Sequence, residues 1–122
     1  MLYCDYFLSL ENVEIDKDKI DCIEKIYETK FCDLVNRILS DCDDPIFVED
    51  DRILSFDEIE HASEDLEIDF KKMNSIPLID CTSNDYILYN YETKFWNMFN
   101  AVDKTSFLVS DSLEELISKR YD

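Results

Sequence analysis

The first ten residues alternate between two sets of positions, and one of these sets is apolar throughout. It consists of Leu2, Cys4, Tyr6, Leu8 and Leu10. A period of two is typical of a strand with one buried face. We therefore expect a strand here, with a short helix as the alternative, and we expect residues 1–14 to be an extra strand or arm of the domain.

From about Asp16 the apolar positions recur at the spacing of an α-helix. The first group is Ile20, Ile23, Ile26 and Tyr27, and the second is Leu34, Val35, Ile38, Leu39 and Cys42. Apolar residues three and four positions apart form one face of a helix, so the pattern predicts two amphipathic helices. The second helix ends within "DCDDP", because Pro45 cannot continue it.

The stretch "IFVEDDRILS" predicts one strand, or two strands around a turn at Asp50-Asp51. A helix follows, with Ser55 as its N-cap and Glu58 three residues later completing a capping box. Lys71 and Lys72 complement the C-terminal end of this helix if it reaches that far.

After residue 75 four short β-rich runs are separated by polar turns: "IPLID", "DYILYNY", "KFWNMFN" and "SFLVS". This spacing predicts an antiparallel meander. A closing helix, "SDSLEELISKR", is capped by Ser112 with Glu115 or by Asp111 with Glu114. The order of elements predicts a single α+β domain over residues 1–122, with helices packed on an antiparallel β-meander sheet.

The chain contains no glycine. Asn and Asp are the other residues that best tolerate left-handed backbone, so we expect turns at Asn74, Asn84, Asn90, Asn97, Asn100 and Asp103. The absence of glycine also excludes a Walker loop and a dinucleotide-binding fingerprint, because both need the backbone to approach phosphate without a Cβ atom.

Charge narrows the class of partner. The chain has 30 Asp and Glu against 12 Lys and Arg, a net charge of -18 at pH 7. Such a field repels nucleic acid and anionic membranes. We therefore expect neither as a partner, and expect a cationic one, either a basic protein surface or a divalent metal. Simple acidic solubility is the alternative.

The five cysteines form no C-x-x-C pair, and the chain has a single histidine, His61. Neither a Cys-His zinc site nor a disulfide framework is expected, and we expect His61 at the surface. No apolar run approaches the roughly 20 residues that cross a bilayer. The first ten residues lack the basic region of a signal peptide, so we expect a reducing, cytoplasmic location.

The triplet "ETK", Glu92 to Lys94, has the acid-any-lysine spacing that some metal-dependent nucleases use on a strand. The chain must reverse between its two aromatic runs at this point. A stretch of five residues, Asn90 to Lys94, suits a hairpin loop. The triplet is therefore predicted to be a turn and not a catalytic site.

The stretch "DCDDPIFVEDDR" holds six carboxylates in twelve residues. Counted from Asp41, the sixth position of an EF-hand loop is Ile46 and the twelfth is Arg52, so that loop is rejected. A solvated acidic rim, or a docking face for a basic partner, explains the cluster better than weak Mg²⁺ or Ca²⁺ binding, which stays an alternative.

Both faces of the "DYILYNY" strand carry large apolar or aromatic side chains. Such a strand is either covered on both faces or lends one face to a partner. Core packing is the first interpretation. The alternative is a set of aromatic anchors within an acidic rim, which would suit a protein-binding patch.

The order of "RILSFDEIEHA", "IPLIDCTSNDYILYNYETKFWNMF" and "FLVSDSLEELI" resembles the SUKH superfamily. Its members include many bacterial immunity proteins and a yeast regulator of cell-wall synthesis. The matching pieces are Ile53 to Ile59, Ile76 to Asp80, Asp85 to Tyr89, Phe95 to Phe99 and Ser112 to Ile117. "KFCDLVNRILS" falls where the family has another amphipathic helix, and the resemblance covers about residues 18 to 120.

The resemblance implies an inhibitor with no catalytic group and no cofactor. Many bacterial members are encoded beside a secreted toxin, often a nuclease, and protect the producer by binding it. A nuclease presents a basic cleft to its substrate, and a domain of net charge -18 is steered towards such a cleft. We expect the field and the anchors of the binding surface to come from Asp43, Asp44, Glu49, Asp50, Asp51, Asp80, Asp85, Tyr86, Tyr91 and Trp96.

Three other functions are compatible with the sequence. The same fold could serve as a regulatory or scaffold module that binds no toxin. A metal-dependent enzyme could act through the acidic cluster, and its turnover would then require Asp50 and Asp51. A nucleic-acid mimic would need carboxylates spaced like phosphates.

Overall fold

The computed structural model describes residues 1–120. Within this range the chain forms six helices and six strands in an α+β arrangement. The helices are α1 (Tyr3–Leu10), α2 (Lys17–Tyr27), α3 (Asp33–Ser40), α4 (Phe56–Glu60), α5 (Ala62–Leu66) and α6 (Leu113–Arg120). The strands are β1 (Ile46–Val48), β2 (Asp51–Ile53), β3 (Ser75–Asp80), β4 (Asp85–Asn90), β5 (Trp96–Asn100) and β6 (Thr105–Ser110).

The six strands form one antiparallel sheet in chain order, β1-β2-β3-β4-β5-β6. The predicted meander is therefore confirmed, and it extends back to include β1 and β2. Residues 46–53 form two strands, and the turn between them lies at Glu49 and Asp50, one residue earlier than expected. Asp51 consequently belongs to β2 and pairs with Val48 of β1.

The expected N-terminal strand is wrong, because residues 3–10 form helix α1. Its buried residues are Tyr3, Tyr6 and Leu10, which are spaced for one face of a helix. Leu2 and Leu8, which the alternating pattern would bury, are exposed. Packing of these three side chains against the core therefore favours a helix over the strand that the alternating pattern predicted.

Helices α2 and α3 follow the predicted pattern closely. Asp16 caps α2 by accepting a hydrogen bond from the backbone N–H of Lys19, and Ile20, Ile23 and Tyr27 are buried. In α3 the buried residues are Val35, Ile38 and Leu39. Ile26 is the exception, since its side chain remains exposed.

The capping box at the start of α4 is confirmed. The Ser55 hydroxyl accepts from the backbone N–H of Glu58, and the Glu58 carboxylate accepts from the backbone N–H of Ser55. The helical region ends at Leu66, before the two lysines that were expected to complement it. Lys71 instead forms an ion pair with Glu28, 3.0 Å away.

Both faces of the central strands are covered. Residues directly opposite one another in a ladder point to the same face. One face carries Ile53, Ile79, Ile87 and Met98, which are paired across neighbouring strands and buried. On the other face, the Phe99 ring meets the Phe70 ring at 6.4 Å between centroids. The "DYILYNY" strand is thus mainly a core strand.

The glycine-free turns use more residue types than expected. Asn74 and Asn84 have positive φ angles as predicted, but so do Glu28 and Lys94. Asn97 lies inside β5, so its assignment to a turn is wrong.

Two of the predicted turn asparagines act through their side chains. The amide oxygen of Asn90 accepts backbone N–H bonds from Glu92 and Thr93, and that of Asn100 accepts from Val102 and Asp103. Both residues end a strand, so they stabilise the turns without adopting left-handed backbone themselves.

The five cysteines are free thiols. Cys42 and Cys81 are buried, where each acts as a small apolar residue. No helix within residues 1–120 has both the length and the apolarity needed to cross a membrane.

Candidate functional site

Four of the predicted docking residues lie at the two ends of strand β1. Asp43 and Asp44 precede the strand, Glu49 and Asp50 follow it, and all four are exposed. Asp43 forms an ion pair with Lys19. β1 is one of the two edge strands of the sheet, so these carboxylates flank one edge of the sheet.

Phe47 lies at the centre of β1, between these two pairs of carboxylates. Its side chain is 68% exposed. The sequence pattern did not identify it, because "IFV" reads as a buried apolar run. We call the exposed set Asp43, Asp44, Phe47, Glu49 and Asp50 the β1 surface.

The N-terminal helix holds the turn at one end of the β1 surface. The Glu49 carboxylate accepts a hydrogen bond from the backbone N–H of Tyr3 at 2.9 Å. The backbone N–H of Glu49 donates to the carbonyl of Met1 at 2.8 Å. These two bonds offset the cost of the left-handed backbone at Glu49, whose φ is 53°.

Asp51 was expected on the docking surface, but it is buried. Its residue exposure is 2%, and its carboxylate bonds to the guanidinium of Arg120 and to the Tyr3 hydroxyl. Burial and the neighbouring carboxylate raise the pKa of the Tyr3 hydroxyl well above its ordinary value. Asp51 therefore joins α1, β2 and α6 inside the domain, and we remove it from the docking set.

Asp80, Asp85 and Tyr86 lie at the adjoining ends of β3 and β4, and the pairs Phe47–Arg52 and Arg52–Asp80 connect this group to β1 across the sheet. Asp80 and Tyr86 are opposite one another in the ladder. Asp80 bonds to Arg52 at 3.1 Å, and Asp85 accepts from the Asn100 amide at 2.8 Å. The charge of Asp80 is therefore compensated by Arg52, as that of Asp43 is by Lys19, whereas Asp85 has only the neutral amide of Asn100 as its partner.

Arg52 connects this group to helix α4. It bonds to Glu58 as well as to Asp80. Burial by itself would raise the pKa of Glu58, but hydrogen bonds from Arg52 and from the backbone of Ser55 outweigh it and lower that pKa.

The other two predicted anchors pack against the domain itself. Trp96 is 3% exposed, and its ring contacts that of Tyr89 at a tilt of 54° with the centroids 4.8 Å apart. The ring of Tyr91 meets those of Tyr27 and Phe31 edge-on, and its hydroxyl donates to the backbone carbonyl of Lys71. We therefore remove Trp96 from the docking surface, whereas Tyr91 stays partly accessible at a separate place.

The "ETK" triplet lies in the turn between β4 and β5, as predicted. The backbone N–H of Lys94 donates to the carbonyl of Asn90 at 2.7 Å and closes the loop. The Glu92 carboxylate accepts from the side-chain amide of Asn74. The acid and the lysine therefore do not sit on a strand.

His61 is exposed at the end of α4, as expected. Its ring lies 3.4 Å from the carboxylate of Asp57 and 3.8 Å from that of Glu60. Hydrogen bonding to the Asp57 backbone and these two carboxylates raise the pKa of His61. The three side chains place one ligand atom each within 4.8 Å of one another, a spacing that a cation could bridge on an exposed helix.

Comparison of the chain with models of known protein families, with characterised proteins and with solved structures finds no match.

Proposed function

We propose that this protein is an immunity protein that binds and neutralises a cognate bacterial toxin with a basic active-site cleft. The observation that carries the proposal is the β1 surface. It combines an exposed aromatic ring with four exposed carboxylates at one edge of the sheet, in a domain of net charge -18.

Electrostatic attraction brings the toxin and this protein together. The ion pair between Lys19 and Asp43 neutralises one of the four carboxylates of the β1 surface. The others add to the negative field of the whole chain, which attracts a basic cleft and speeds association at low ionic strength. The nucleic-acid substrate of a nuclease toxin is itself an anion, so the same basic cleft attracts both the substrate and this protein.

Phe47 supplies the anchor. An aromatic side chain that is mostly in solvent gains apolar burial when a partner covers it, and such residues dominate interface energetics. The carboxylates around it form a polar rim that favours a cationic partner over other proteins.

The resemblance to SUKH proteins supports the proposal. SUKH proteins have an antiparallel meander between a capped helix and a closing helix. In this chain α4, β3 to β6 and α6 follow in the same order. The toxin-binding role comes from the resemblance and the charge, and the experiment below tests it.

The test is co-expression with the protein encoded by the adjacent gene, if that gene carries a toxin domain. We expect growth to be rescued and the two proteins to bind directly. Absence of both rescue and binding would remove the immunity role and leave a regulatory or scaffold module as the function.

The β1 surface is tested by Phe47→Ala against the matched control Val102→Ala, an exposed apolar residue in the β5–β6 turn. We expect Phe47→Ala to weaken toxin binding about 10-fold, the effect of losing one interface anchor. The control should change binding less than about 2-fold. Equal binding by the two variants would place the interface elsewhere.

A further inference from the structure

An open groove runs along α1 on the side that faces α6. Its volume is about 620 Å³. Tyr3, Phe7 and Ile117 supply apolar walls, and Leu8 stands at its margin with 59% of its side chain exposed. Leu8 contributes little to the core, so its apolar surface is available to a partner.

A second depression of about 370 Å³ adjoins the groove and shares Phe7, Glu11 and Glu114 with it. Leu34, which is half-buried, adds apolar surface there, and the buried Leu10 lies beneath it. The combined groove is therefore elongated along α1. Eight residues of helix span about 12 Å, so the groove offers room for about two turns of a second helix.

The groove is bordered by carboxylates. Glu11, Glu49 and Glu114 line it, and within residues 1–120 no ion pair involves Glu11 or Glu114. The cation that lines it, Arg37, is already bonded to Asp33 and to two backbone carbonyls at the end of α1. The border therefore has an uncompensated negative charge.

We propose that the groove between α1 and α6 binds a basic amphipathic helix of the partner protein. Apolar side chains of that helix would cover the groove, and flanking Lys or Arg side chains would reach the carboxylates at its border. This inference deepens the proposed function and rests on it, because the helix is expected to belong to the same basic partner that meets the β1 surface. Glu49 belongs to both surfaces, so they are continuous.

A second copy of this chain fits the groove poorly. Two copies would bring the same border carboxylates together, and each copy carries a net charge of -18. Like charges at an interface disfavour association. The charge of the groove therefore favours a cationic partner over self-association.

The first test uses a fluorescein-labelled peptide of about 14 residues, with Leu on one helical face and Lys on the other, titrated with the full chain. A scrambled peptide of the same composition is the control for charge attraction. We expect the amphipathic peptide to bind at least about 10-fold more tightly. Equal binding of the two peptides would overturn the proposal.

The second test compares Leu8→Lys with Val102→Lys, which make the same change in net charge inside and outside the groove. We expect Leu8→Lys to weaken binding of the amphipathic peptide about 10-fold and Val102→Lys less than about 2-fold. Equal effects would show that general electrostatic attraction accounts for the binding, and would overturn the proposal. The proposal would also be overturned if the parent chain self-associates and Leu8→Lys abolishes that self-association. The groove would then bind a second copy of this chain.

The border is tested by Glu11→Gln/Glu114→Gln against Glu14→Gln/Glu64→Gln, which remove the same charge from exposed sites outside the groove. We expect the first pair to weaken peptide binding about 5-fold and the second less than about 2-fold. The difference should shrink between about 50 and about 500 mM salt, because salt screens exposed charges. A difference that is absent at low salt would contradict the role of the border.

Binding measurements with the toxin distinguish failure of this inference from failure of the proposed function. If the parent chain and Leu8→Lys bind the toxin equally, the groove is not the binding site and the immunity role stands. If the peptide occupies the groove but no toxin is bound or neutralised, the immunity role fails and the groove stands as a site for another basic protein.

Discussion

The bond between Asp51 and Arg120 gives the sharpest prediction about this fold. The Asp51 side chain is fully buried, and the Arg120 side chain is 16% exposed. We consider Asp51→Leu, Arg120→Met and the double variant, with Asp50→Ala as a control at the exposed neighbouring residue. Removing one partner takes this ion pair away from a charge that stays in the interior of the domain, which is more costly than replacing both ions by apolar side chains.

The magnitudes follow from burial. Losing one member of a fully buried pair costs about 3–5 kcal/mol, and the partial exposure of Arg120 lowers this to about 2–4 kcal/mol for Asp51→Leu. The unpaired Tyr3 hydroxyl adds about 1 kcal/mol. Arg120→Met should cost at least as much, because the carboxylate it leaves behind has no access to water. The double variant should lie within about 2 kcal/mol of the parent, since apolar side chains then replace both ions.

Urea denaturation measures these free energies of unfolding, with the fluorescence of the buried Trp96 as one probe and far-UV circular dichroism as the other. A domain of 122 residues is expected to have about 6–18 kcal/mol of stability, so each single variant should still fold. Asp50→Ala should change stability by less than about 0.5 kcal/mol. A coupling energy below about 0.5 kcal/mol between the two sites would refute the reasoning.

Three further predictions concern single side chains. Trp96→Ala should lower the free energy of unfolding by about 3–5 kcal/mol in urea denaturation, because it empties a core position; a cost under about 1 kcal/mol would contradict its burial. The pKa of Glu58 is lowered in the folded protein, so its contact with Arg52 stabilises the fold above the ordinary glutamate pKa and is lost as pH falls through the lower folded value. The stability advantage of the parent over Glu58→Gln should therefore be larger at about pH 7 than at about pH 3, and an equal advantage would contradict the shift. Burial raises the pKa of Cys42 to about 12, so mass spectrometry should find it unmodified by iodoacetamide in the folded protein while the exposed Cys4 reacts; equal modification would contradict this.

Much of the fold could be predicted from local patterns. The helical spacing of Ile20, Ile23 and Tyr27 predicted α2, and the Ser55–Glu58 capping box located the start of α4. Both depend on residues within one or two turns of each other. The first ten residues are the contrast, because their apolar positions fit two periods and packing against the core decided between them.

The candidate site was harder to predict than the fold. The acidic composition around β1 indicated a charged face, but no local signal separates Asp50 from Asp51, which are adjacent in the sequence. The structure exposes the first and buries the second. Likewise Trp96 is buried and Phe47 is exposed, although aromatic residues in short β-rich runs look alike in the sequence.

The sequence by itself determined the net charge, the order of most elements and the caps of several helices, since these depend on composition or on neighbours a few positions away. Only the tertiary structure decided which acidic and aromatic side chains face a partner. Asp51 is buried because Arg120, 69 residues away, and Tyr3, 48 residues away, converge on it. Phe47 is exposed on β1, which has a neighbouring strand on one side only, and the groove is lined by residues of α1 and α6, which are far apart in the sequence. Contacts between such distant segments have no local pattern in the sequence, so the binding surfaces appear only when the chain has folded.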